Sequence, residues 1–85
     1  MTSLSIKYFT YVLLSEKDGR MYKGMTCDVE KRLKEHNAGY TKSTKGFAPW
    51  ILFYKEEFNT MNEAREREKF LKTGVGREFF KKMVL

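Results

Sequence analysis

The chain has 85 residues, 41% of them hydrophobic and 15% aromatic, enough for one small core of the kind that buries about 60% of the surface its unfolded chain exposes. Lys and Arg number 17 against 11 Asp and Glu, a net charge of +6 that suits a polyanionic partner. The apolar runs are too short to span a bilayer and no basic-then-apolar leader opens the chain, while a lone Cys27 makes neither an internal disulfide nor a zinc cluster. A cytoplasmic protein with one domain over residues 1–85 and no membrane contact is therefore expected.

In chain order, "KYFTYVLL" (7–14) is β-branched, aromatic and aliphatic on both alternating faces, which predicts a central strand covered on both sides. Asp18-Gly19 within "SEKDGR" supplies the positive-φ positions of a tight reversal, and "RMYKGM" returns as an antiparallel strand. Asp28 is placed to N-cap a first helix, "VEKRLKEHNA", which Gly39 should end. The polar, basic stretch 39–49, "GYTKSTKGFAP", reads as a loop, with Pro49 at the entrance to a third strand, "WILFYKE". Thr60 and Glu63 form a T-x-x-E capping box for a second helix reaching about Lys72. Gly74 and Gly76 should break it, and "REFFKKMVL" follows as a third helix whose Phe79, Phe80, Met83 and Val84 pair at i,i+4 spacing against the edge of the core. The order predicts an α+β domain with a three-stranded, mainly antiparallel sheet flanked by about three helices.

Three features of this layout carry chemistry. Tyr11 and Tyr22 lie on strands that the Asp18-Gly19 turn pairs, so both phenols can line one patch; strand tyrosines also serve as packing residues with a satisfied hydroxyl. Arg32 and His36, at i,i+4, share one face of the first helix beside the Val29/Leu33 packing edge, as a catalytic pair or as polar side chains that merely face solvent. Glu68 interrupts the apolar stripe of Met61, Ala64 and Leu71 on the second helix, where it either meets a ligand or pairs with a neighbouring lysine. Beyond these, "KRLKEHNAGYTKSTK" carries Lys31, Arg32, Lys34, Lys42 and Lys45 around Tyr40 with one acid, Glu35, a mixture fit to bind phosphates or to be a solvated face.

Taken together, "TYVLLSEKDGRMYKGMTCDVEKRLKEHNAG" and "EAREREKFLK" resemble the GIY-YIG nuclease superfamily. The likeness is greatest to small stand-alone members similar to the nuclease domain of the bacterial nucleotide-excision repair endonuclease. "TYV" (10–12) stands for the first triplet and "YKG" (22–24) for the second; "VEKRLKEHN" and the run from Glu63 to Lys72 follow in the family's order.

The resemblance implies a metal-dependent endonuclease that hydrolyses DNA, acting on branched or damaged structures or with weak sequence specificity, in repair or recombination. It implies that Tyr11 and Tyr22 are the paired active-site tyrosines, that Arg32 stabilises the transition state with His36 one helical turn later, and that Glu68 is the single carboxylate ligand of Mg2+ or Mn2+. Either Tyr22 or His36 would accept the first proton. Lys23, Lys31, Tyr40, Lys42 and Lys45 are the candidate nucleic-acid contacts. The sequence departs from the pattern at Thr10, where glycine is named, at Lys23, where isoleucine is named, and at Met25, where a lysine often follows the second triplet. These departures motivate a second reading, a catalytically degenerate nucleic-acid-binding module on the same fold.

Overall fold

The tight reversal at Asp18-Gly19 forms as its residues dictate. Gly19 adopts φ +80°, the amide of Ser15 donates to the Arg20 carbonyl at 2.9 Å, and the Asp18 carboxylate accepts from the Arg20 amide. The computed structural model describes residues 6–84, with side chains as far as Met83. The reversal joins β1 (Tyr8–Ser15) to β2 (Met21–Thr26), and the chain continues through α1 (Val29–Asn37), α2 (Lys42–Lys45), β3 (Trp50–Phe58), α3 (Met61–Leu71) and α4 (Gly74–Val84). The sheet order is β2-β1-β3, antiparallel throughout, so the fold is the expected α+β architecture with the first strand at its centre.

Because successive side chains of a strand point to opposite faces, β1 serves two cores. Tyr11 and Leu13 pack with Val29 and Trp50, flanked by Leu33 of α1 and Phe47. Val12 packs on the other face with Leu71 of α3 and Phe80 of α4. Thr10 also points toward α3; fully buried, it donates its hydroxyl to the Ala64 carbonyl at 2.6 Å. An unpaired hydroxyl there would cost about 1–3 kcal/mol, so the bond turns a polar residue in the central strand into a tie between sheet and helix.

Local signals fix the helix ends. The Asp28 carboxylate accepts from the Lys31 amide at 3.1 Å, Gly39 takes φ +84° just beyond α1, and the capping box of Thr60 and Glu63 is complete in both directions.

Four details depart from the expectation, each through tertiary contact. The basic loop contains a one-turn helix, α2, held because the Trp50 indole donates to the Thr44 carbonyl at 3.0 Å and Thr44 is buried. β3 runs two residues further, to Phe58, since it pairs with the whole of β1. Met61 is 44% exposed, so of the predicted apolar stripe only Ala64 and Leu71 pack α3 onto the sheet. Finally, α4 starts at Gly74, and Gly76 is a packing residue inside it: a Cβ there would come within 2.6 Å of the Leu71 Cα, so its absence lets α4 close on α3. Phe80 fills the core while Phe79 and Met83 remain partly exposed; the Val84 side chain and Leu85 lie outside the described residues.

Candidate functional site

The hairpin register sets Tyr11 directly opposite Gly24. A Cβ on residue 24 would stand 2.6 Å from the Tyr11 hydroxyl oxygen, so the missing side chain is what lets the phenol lie across β2 toward the outer edge of the sheet. Tyr22, paired with Leu13, shares this face, and the two phenol rings lie 6.3 Å apart, centre to centre. α1 closes over them: the His36 ring centre is 4.7 Å from that of Tyr22, and His36 Nε2 is 3.1 Å from Tyr11 Oη.

His36 is not a surface residue, since both it and Thr44 are fully buried. Its Nδ1 lies 2.8 Å from Thr44 Oγ1, whose hydroxyl donates in turn to the Thr41 carbonyl. With that proton committed, Thr44 accepts from Nδ1–H, and Nε2 is left to accept the Tyr11 O–H. Burial first, and then the neighbouring Arg32 charge, hold the imidazole below its usual pKa, in the neutral form this chain of bonds requires. Tyr11 is pushed up to about 12, chiefly by burial, with further upward contributions from Tyr22 and Glu68 against the opposing pull of Arg32. Near neutral pH Tyr11 is thus a proton donor and not a base.

Arg32 stands beside this pair. Its Nη1 donates to Glu35 at 3.0 Å, and although burial works against its charge, Glu35 and the two tyrosines outweigh burial and keep the guanidinium ionised. Four of the residues singled out in the sequence, Tyr11, Tyr22, Arg32 and His36, therefore meet on one face.

Glu68 arrives from α3, close enough for its charge to act on Tyr11. The carboxylate is 22% exposed, and its Oε2 accepts from Lys72 Nζ at 3.0 Å. One partly exposed carboxylate with water access is a donor set that suits hydrated Mg2+, which commonly takes one or two protein carboxylates and fills the rest of its shell with water and phosphate oxygen. Among the described residues there is no cluster of three or more His, Cys, Asp or Glu, so the donor set does not match an all-protein zinc cage.

The candidate nucleic-acid contacts divide between two surfaces. Lys31, Lys42 and Lys45 are exposed on and beyond α1, and Tyr40 is 77% exposed among them. Lys23 points the other way from Tyr22, with its ammonium 5.9 Å from the Phe80 ring centre, on the side covered by α3 and α4. Sequence reasoning overlooked Gly24 and Thr44 as supports of the site. A glycine inside a strand was the available signal for the first; for the second there was none, because the bond from Thr44 to His36 depends on how α2 folds back.

The family profile described as the GIY-YIG catalytic domain matches residues 7–82. A UPF0213 protein of Staphylococcus haemolyticus is 41% identical over 68 residues, covering 79% of this chain and 82% of that one, and a UPF0213 protein of Halobacterium salinarum is 45% identical over 56 residues, 65% and 73% of the two chains. The solution NMR structure of a UPF0213 protein from Bacillus halodurans superimposes with a TM-score of 0.54 at 31% identity, covering 91% of this chain and 84% of that one.

Proposed function

Since the chain belongs to the GIY-YIG family, we propose that it is a metal-dependent endonuclease that hydrolyses DNA phosphodiester bonds. The observation that carries this reading is the meeting of Tyr11, Tyr22, His36 and Arg32 on one face with the Glu68 carboxylate in electrostatic reach of Tyr11. A purely structural cluster has no need of a partly exposed carboxylate at its rim.

In this reading Glu68 would hold Mg2+ or Mn2+, which when bound would supply a Lewis acid to neutralise charge developing on the phosphate and its leaving oxygen. Arg32 supplies a permanent charge to the nonbridging oxygens. Tyr22, the less buried of the two phenols, orients the attacking water. His36 and Tyr11 are both buried, so Tyr22, the more accessible phenol, is the group placed to take the first proton from the water, while Tyr11 donates to His36 Nε2 and Thr44 holds Nδ1. Lys31, Tyr40, Lys42 and Lys45 hold the flanking backbone on one side and Lys23 on the other. Small size and a diffuse basic surface favour recognition of DNA shape, as at branched or damaged sites, over sequence, and the free, exposed Cys27 suits a reducing cytoplasm.

The test is cleavage of plasmid, linear and branched DNA with and without Mg2+ or Mn2+, beside Glu68→Gln and Tyr22→Phe. The expected result is metal-dependent cleavage that each substitution lowers by roughly 10²–10³ without weakening DNA binding to the same degree. The ion pair from Lys72 to Glu68 also fits a catalytically degenerate binding module, in which the carboxylate is permanently neutralised. Salt-sensitive DNA binding with no cleavage on any substrate would establish that alternative.

A further inference from the structure

Lys72 occupies the one carboxylate that the proposed reaction reserves for a metal, and it does so beside two further cations. Lys23 is partly desolvated against Phe80, and the charges of Arg77 and Lys72 both bear on it, after burial, in lowering its pKa. Lys72 caps the end of α3, and Arg77 lies in the first turns of α4. Among the described residues, neither Lys23 nor Arg77 has a carboxylate partner, while Lys72 has Glu68. Lys23 lies over Phe80 of α4, and Arg77 follows Gly76, which packs against Leu71 immediately before Lys72, so the three cations share the α3–α4 side of β2, where an anion entering between them is stabilised. Glu68 supplies part of that anion from within, and only to Lys72.

We propose that Lys72 is a switching residue: its ammonium holds Glu68 while the metal is absent, and on metal binding it is released to join Lys23 and Arg77 as a clamp for a DNA phosphate on the α3–α4 side of the hairpin. The inference rests on the assignment of Glu68 as metal ligand. Its consequence is a reciprocal coupling between metal and DNA. The cation must displace Lys72 to reach Glu68, so the free protein binds metal less tightly than its carboxylate allows. DNA, by drawing Lys72 onto phosphate, removes that competitor. The same lysine therefore weakens metal binding alone and strengthens DNA binding in the presence of metal.

Opposite signs in two measurements test this. In the first, Mn2+ is titrated into wild-type protein and Lys72→Met without DNA, followed by paramagnetic broadening of the backbone amides around Glu68. The variant should bind Mn2+ about two- to fivefold more tightly, the yield of removing one partly exposed ion pair. In the second, binding of an uncleaved duplex in Ca2+ is followed against salt; Lys72→Met should bind more weakly, with a salt slope shallower by about one, and Lys72→Arg should restore the slope. A variant that merely perturbs the fold would lose both affinities together, and that outcome overturns the switch. Equal Mn2+ affinity in wild type and Lys72→Met overturns it as well while leaving Glu68 as a ligand. Absence of Mn2+ broadening at Glu68 in the wild type, or broadening that persists in Glu68→Gln, removes the metal reading itself and the switch with it.

Discussion

The two sides of the hairpin solve the problem of placing polar groups in different ways. On the α1 side, Tyr11, His36 and Thr44 form a hydrogen-bonded chain with all three residues almost wholly buried, and the fold determines its geometry before any ligand arrives. On the α3 side, among the described residues Glu68 is held only by a lysine that is itself 55% exposed. Buried hydrogen bonds cost a great deal to break when a partner is left behind, whereas ion pairs near water contribute little. A site assembled from both kinds can be rigid where protons move and exchangeable where a cation must enter.

The most damaging way to break this contrast is Gly24→Ala. The new methyl would collide with the Tyr11 phenol, and overpacking of this kind costs about 1–3 kcal/mol, which urea unfolding will register; the displaced phenol should also lose its bond to His36, visible as a shifted Nε2 resonance by NMR while Thr44 keeps the proton on Nδ1.

A smaller effect separates the two sides by pH. His36 has its pKa lowered by burial and by Arg32, so below the ordinary histidine value of about 6.5 the unfolded chain takes up a proton that the folded protein resists. The stability this contributes is fully present above that value and is lost as pH falls through the folded pKa. Denaturant midpoints from pH 7.5 to 5 should decline in the wild type with a slope that His36→Gln removes and Glu68→Gln leaves in place.

The smallest effect is the sharpest comparison. Glu68→Gln should change unfolding stability by no more than about 0.5 kcal/mol even as it lowers cleavage by roughly 10²–10³, because α3 is docked by Ala64, Leu71 and the Thr10 bond, not by its carboxylate. A loss of several kcal/mol would mean that Glu68 is a structural member of the core.

Where physical causes are local, the sequence was legible. The Asp18-Gly19 turn, the Asp28 cap and the Thr60–Glu63 box each act within a few residues, and each forms as read. The approach of Tyr11 to Tyr22 followed from hairpin pairing alone. Depth was illegible. Nothing in the helical spacing of Arg32 and His36 distinguishes an edge from an interior, and His36 is buried between the Tyr11 and Tyr22 rings and Thr44 of α2, a helix within a stretch that reads as loop. Met61 looked like core by the same periodicity that correctly selected Ala64 and Leu71, and it is exposed because α3 meets the sheet only beyond its first turn. The double role open to Glu68, metal ligand or partner of Lys72, could be stated from the sequence because the two are one helical turn apart, and the pair with Lys72 is the one that forms; that it stands on the same side of β2 as Lys23 required the packing of α3 and α4.

Thr10 and Tyr11 are consecutive, and they address opposite faces: the first is bonded to the Ala64 carbonyl of α3, one helical turn before Glu68, and the second to His36 of α1. The pleat of a single strand thus acts as the gauge between a proton-handling half and a cation-handling half, with one residue step of about 3.3 Å as its division. A slip of β1 by one position would not merely loosen this arrangement but transpose it, sending the phenol toward α3 and the neighbouring side chain toward α1. Insertions or deletions in the turn after β1 should therefore be tolerated far better than any that alter the count between Thr10 and that turn.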